Sequence, residues 1–109
     1  MREILVEKSS GNVFEDIGLG DSEERLAKAA LAVRIGAAIR GRRLTQAHAA
    51  RILKIDQPKV SRLLRGQLSG FSTERLMHFL ILLGSDVEII VKRAPRPRRL
   101  GRLRVLASA

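Results

Sequence analysis

The chain has no cysteine, no tryptophan and no tyrosine, and three phenylalanines are its aromatic complement. Without cysteine there is neither a disulfide framework nor a thiolate metal site, and a reducing compartment is allowed. Scarce aromatics argue against a single-strand binder, which stacks bases on aromatic platforms. No apolar run approaches the ~20 residues of a membrane span. The N-terminus, MREILVEKSS, carries acids and no long apolar stretch, so it does not read as a signal peptide. The expected location is cytoplasmic, with no membrane contact. Catalytic signatures are missing too. His48 and His78 stand far apart on faces expected to be exposed, and no HExxH spacing or phosphate-binding glycine loop occurs. The expectation is a non-enzyme with no cofactor and no metal.

What is present in excess is positive charge. The 109 residues carry a net +10, distributed unevenly: −5 over residues 1–24, +8 over residues 25–91 and +7 over residues 92–109. A basic domain suits a polyanion, most economically nucleic acid. The acidic segment would be repelled by the same polyanion and is expected to face elsewhere, toward a basic protein. The length fits one domain with tails. We divide it into an N-terminal arm (1–20), a helical domain (21–93) and a basic tail (94–109).

Within the domain, Leu44–Gly66 is the organising stretch. Thr45 is a suitable N-cap, because its hydroxyl can accept an orphan amide of the first helical turn. Ala47, Ala49, Ala50, Ile52 and Leu53 supply about two turns of helix with a small-residue face. After Lys54-Ile55, Asp56 caps a second short helix in which Pro58 occupies the first turn, where a missing N–H costs nothing. Val60 and Leu63 share one face and can meet Ala50, Leu53 and Ile55. Gln57, Lys59, Ser61, Arg62 and Arg65 are left pointing mostly outward, and Gly66 suits the stop. Two short helices around a tight turn, the second basic outside and apolar inside, describe a helix-turn-helix spanning 45–65. A plain αα-hairpin with a solvated basic face is the alternative.

The flanks extend the pattern. Asp21 or Ser22 caps a long first helix running to about Arg42, with stripes Leu26/Ala30/Val33/Ala37 and Leu31/Ile35/Ile39, so more than one of its faces should be covered. Ser72 caps a further helix over about Thr73–Leu83, with Phe71 stapling to Leu76 and Gly84 as the stop. Asp86–Arg93 alternates with period two and is rich in β-branched residues, which predicts a strand. A lone strand must pair, either with Ile4–Val6 of its own chain or, as favoured here, with a second copy through Val87, Ile89 and Val91. Val13, Phe14 and Ile17 form a small apolar cluster in the arm. It either tucks Phe14 onto the domain or docks a partner. Leu100–Leu106 reads as a solvated tail, with a weak amphipathic helix as the alternative.

The LTQ opening, the alanine elbow, Ile55 after the turn and the Val-Ser-Arg…Arg-Gly ending resemble the phage-repressor-like (XRE) helix-turn-helix family. The flanking stretches Asn12–Leu19, Asp56–Ser61, Leu68–Ser72 and Gly84–Ile89 are similar to a subgroup that includes HigA-like antitoxins acting beside RelE-type toxins. The resemblance covers roughly residues 13–92. It implies a mainly α, phage-repressor-like domain of four to five helices with a short C-terminal β-strand. It also implies a transcriptional repressor, an antitoxin that binds its own promoter and neutralises a RelE-like toxin. A stand-alone repressor without a toxin is the alternative, and a non-specific nucleic-acid-binding protein is a third reading.

For double-stranded DNA the reading residues follow from how such a motif docks, with the start of its second helix in the major groove. Gln57 can pair bidentately with adenine and Arg62 with guanine, while Ser61 and Lys59 are placed for bases or backbone. The resemblance puts Gln57, Ser61 and Arg62 at base-contacting positions and Gln46 at a phosphate-contacting one. Charge and placement add Arg43 and Arg65 as phosphate contacts. Two positions depart from the family: Pro58 stands at a reading position with no side-chain donor, and Lys54 replaces the usual turn glycine. A single motif reads few base pairs, so a palindromic operator and a homodimer are expected.

Overall fold

The computed structural model describes residues 21–94 and 101–107, so the arm (1–20), with Ile4–Val6 and the Val13/Phe14/Ile17 cluster, lies outside the described residues. Four helices follow one another: α1 (Asp21–Gly41), α2 (Gln46–Leu53), α3 (Gln57–Leu64) and α4 (Thr73–Leu82). The long α1 packs chiefly along α4 and also against α3, while α2 touches α3 and α4.

The three shorter helices start where their local chemistry directs, whereas α1 already begins at Asp21, so Asp21 and Ser22, expected as its caps, lie within it. Thr45, Asp56 and Ser72 are extended N-caps whose side-chain oxygens accept the amides of His48, Lys59 and Arg75 at 3.0, 2.9 and 3.1 Å. Each such cap is worth ~1 kcal/mol, because it satisfies a donor the helix itself cannot. Gly66 and Gly84 take the left-handed conformation (φ 78° and 95°), which lets Gln67 and Ser85 donate back to the Arg62 and Leu80 carbonyls at 2.9 Å. The end of α1 is less ordinary. The helix stops at Gly41 rather than Arg42, and Arg43 turns left-handed with φ 54° while Leu44 donates to the Ile39 carbonyl at 3.0 Å.

The stripe Leu31, Ile35 and Ile39 enters the core, as its spacing requires. It meets Ala49, Ala50 and Leu53 of α2, Val60 and Leu63 of α3, and Leu76, Phe79, Leu80 and Leu83 from the α4 region, with Phe71 buried beside them. Ile35, Val60, Leu63 and Leu76 are completely sealed from solvent, and each contributes ~1.5–3 kcal/mol by leaving water. Phe71 packs edge-on to Phe79, ring centroids 6.0 Å apart, and the Arg75 guanidinium sits 5.4 and 5.5 Å from the two centroids. At one corner Arg42 Nη1 donates to the Leu83 carbonyl at 3.2 Å, satisfying an acceptor that α4 leaves open at its C-terminus.

The other α1 stripe stays outside: Leu26 is 70% and Val33 65% exposed. At ~100° per residue Val33 lies about 160° from Ile35, so this face turns its back on the core.

The strand expected over Asp86–Arg93 is not formed among the described residues, in which no strand occurs. Val87 is half-buried against the core, whereas Ile89, Ile90 and Val91 are exposed. A strand exists only against a partner. One candidate partner, Ile4–Val6, is outside the described residues and the other is a second molecule. The tail residues 101–107 are not helical either. Seven residues with Gly101 and two arginines fall short of the length at which helix propagation repays nucleation. They are mostly solvated, yet Val105 is half-buried against the core and lies beside Ala30, Val33 and Arg34 of α1.

Candidate nucleic-acid interface

The elbow between α2 and α3 fixes the pose of the second helix. Lys54 ends α2 in the left-handed region (φ 58°, ψ 42°), the conformation that favours glycine. A side chain there costs ~1–2 kcal/mol. Two features hold it: Ile55 donates to the Ala50 carbonyl at 3.1 Å, and the Ile55 side chain packs half-buried on the core. Asp56 then caps α3 immediately, so only a few residues separate the two helices.

On α3 the exposed and buried residues separate cleanly. At ~100° per residue, Gln57, Ser61, Arg65, Pro58 and Arg62 fall in that angular order within about 140° of arc, and Val60 and Leu63 lie opposite. Gln57, Pro58, Arg62 and Arg65 are exposed and Ser61 half-buried. The structure therefore gathers Gln57, Ser61 and Arg62 on one outward face, with Pro58 in its middle and Arg65 a turn or more further along. Lys59 is set apart from them. It is half-buried on the flank of the helix, and its ammonium lies 3.9 Å from the Asp56 carboxylate. Both partners of that pair are well solvated, so it holds the ammonium only weakly.

Gln46 is the exposed first residue of α2, beside Thr45, whose hydroxyl is already committed to the cap. Arg43 is exposed on the preceding turn. Helix N-termini concentrate free amides and partial positive charge, so this end of α2 suits a phosphate oxygen. In residues 44–66 five cationic side chains face one acid, Asp56, which is occupied as a cap. Arg42 and Arg40 were not singled out from the sequence as site residues. Arg42 is tied to Leu83, whereas Arg40 is an exposed guanidinium near the same turn. No local signal separates them, because the tie spans 41 residues of sequence.

Elsewhere, the surface grooves are open. One runs between Glu24, Arg25, Lys28 and the loop at Gly66–Ser69, and His48 and His78 are exposed. Among the described residues no three histidine, cysteine or acidic side chains gather into a metal-sized cluster, and no helix is long and apolar enough to cross a membrane.

A family model described as "Helix-turn-helix domain" matches residues 13–92. A solved structure named "Putative XRE Family Transcriptional Regulator" is 48% identical, with a TM-score of 0.76, over 82% of this chain and 100% of that one. The chain belongs to the XRE helix-turn-helix family. The comparison with curated proteins finds no match. In this XRE-family protein the resemblance drawn from the sequence marks two departures, Lys54 and Pro58. Lys54 adopts the glycine-type conformation rather than avoiding it. Pro58 leaves an apolar spot at the centre of the outward face.

Proposed function

We propose that this XRE-family protein is a homodimeric, sequence-specific repressor that reads a palindromic operator in double-stranded DNA. The observation carrying this reading is the single outward face of α3, on which Gln57, Ser61 and Arg62 stand together on a helix capped at both ends. Gln57 and Arg62 supply bidentate chemistry for adenine and guanine. Ser61 and the flanking Lys59 reach a base or the backbone, while Arg43, Gln46 and Arg65 hold phosphates and set the register. The second copy pairs through the 86–93 segment, using Val87, Ile89 and Val91 as a strand. Such a regulator works on the chromosome, in the cytoplasm. Footprinting on the DNA upstream of its own coding sequence tests the reading. Protection of two half-sites one helical turn apart, lost with Gln57→Ala/Arg62→Ala, is expected. Equal protection of any sequence would leave only a non-specific nucleic-acid binder.

The further proposal is that the repressor is an antitoxin whose partner is a RelE-like toxin. Two things support it: the resemblance of residues 12–19, 56–61, 68–72 and 84–89 to HigA-like proteins, and the net charge of −5 over residues 1–24, which suits a basic protein. Affinity purification of the tagged protein from its own cells should then recover a small basic partner. Recovery of the chain alone, still bound to its promoter, would reduce it to a stand-alone repressor.

A further inference from the structure

The outer face of α1 presents Leu26 and Val33, 70% and 65% exposed, on the side away from the core. The tail segment 101–107 lies along part of it, with Val105 and Ala107 beside Ala30, Val33 and Arg34. The same segment carries Leu103 and Leu106, 41% and 74% exposed. Arg34 lines the same groove, and Arg102 and Arg104 are exposed within the tail segment. The result is an apolar surface on α1 with Arg34 at its side and two further arginines in the segment that lies against it.

Three kinds of occupant could cover such a strip. A second copy would bring the same arginines face to face across a two-fold axis, and like charges so placed repel. Nucleic acid would satisfy the arginines and leave Leu26, Val33, Leu103 and Leu106 without a use. The N-terminal arm meets both requirements. Val13, Phe14 and Ile17 are apolar, and residues 9–20 carry Glu15 and Asp16 and no base. The arm also joins the domain at the right end, because Asp21 is the first residue of α1. Along the helix at ~1.5 Å per residue, Leu26 lies about 7.5 Å and Val33 about 18 Å from Asp21. A chain doubling back at up to ~3.4 Å per residue brings Ile17 level with Leu26 and Phe14 level with Val33.

We propose that the N-terminal arm docks in cis on the outer face of α1 and the tail, seating Phe14 and Ile17 on Leu26, Val33, Leu103 and Leu106 and placing Glu15 and Asp16 among Arg34, Arg102 and Arg104. The arm thereby covers the second stripe of α1 and screens part of the tail's charge. This docking is independent of what α3 reads. A basic partner that engages the arm has to lift it from this surface.

The absence of native cysteine makes the test direct. Val33→Cys in the full chain is labelled with a small thiol reagent, alone and combined with Phe14→Ser/Ile17→Ser, with Gln46→Cys as the exposed reference. Thermal melting is used to check that all variants are folded. Labelling at position 33 should be about tenfold slower with the arm intact, the ratio for a segment docked nine-tenths of the time. The Gln46→Cys rate should be unchanged by the arm substitutions. A Phe14→Cys/Val33→Cys chain should oxidise to a fast-migrating monomer. Equal labelling rates would overturn the proposal. So would cross-links formed only between two chains, which assign the strip to a second copy. Protection seen only with added duplex DNA or RNA would overturn it as well, assigning the strip to nucleic acid.

Discussion

At the scale of single residues, the outward face of α3 divides labour in a way that binding can resolve. Arg62 is exposed at the edge of the face and is proposed to contact a base, whereas Gln46 begins another helix and is proposed to contact a phosphate. Arg62→Ala should weaken operator binding by ~1–3 kcal/mol and relax preference at one base pair, with little effect on non-specific DNA. Gln46→Ala should instead weaken operator and random DNA by a similar factor. Gel-shift titrations against both DNAs separate the cases, and a uniform loss for Arg62→Ala would move it to the backbone. Lys59 belongs less firmly to the reading set than its neighbours. At ~100° per residue it falls about 60° beyond Arg62, on the flank of the helix beside its own cap.

At the scale of elements, the caps carry much of the definition of the helix pair. Asp56 accepts the Lys59 amide at the start of an eight-residue helix, and a helix that short has little stability of its own. Asp56→Ala should lower the urea midpoint by an amount worth ~1 kcal/mol. Operator affinity should fall further than that of a variant equally destabilised elsewhere, because the start of α3 loosens. Equal losses in the two variants would mean that the cap serves stability alone. The elements that were legible in the sequence share one property: their signals are local. Thr45, Asp56 and Ser72 name their caps by chemistry, and Leu31, Ile35 and Ile39 name the core face by spacing. What was not legible depends on partners distant in sequence. The Arg42 bond to Leu83 and Val105 against α1 leave no periodic trace. The 86–93 segment carries a clear strand pattern and no strand among the described residues, because pattern specifies a preference and pairing requires an edge. The outward face of α3 was legible as a set of residues, and the fold adds that Lys59 is half-buried beside Asp56 on its flank.

At the scale of the whole molecule, Ile89, Ile90 and Val91 are exposed and lie in the segment proposed above as the seam for a second copy. Ile89→Asp/Val91→Asp should give a folded monomer by sedimentation, since neither side chain supports the core. Operator affinity should collapse while each half-site contact stays intact. A variant that remains dimeric would place the seam elsewhere. The bond from Arg42 to Leu83 then acquires a meaning for the genome rather than for the fold. It fastens the end of α1 to the end of α4, so the path to the helix pair and the path to Ser85–Val91 leave the core from one corner. In a dimer seamed through that segment, the corner acts as the fixed arm of a pair of callipers. One inserted base pair between half-sites swings the second site by ~34–36° around the duplex, and a fastened corner cannot follow it. The protein would therefore discriminate operators by the length of the gap as sharply as by the bases on either side.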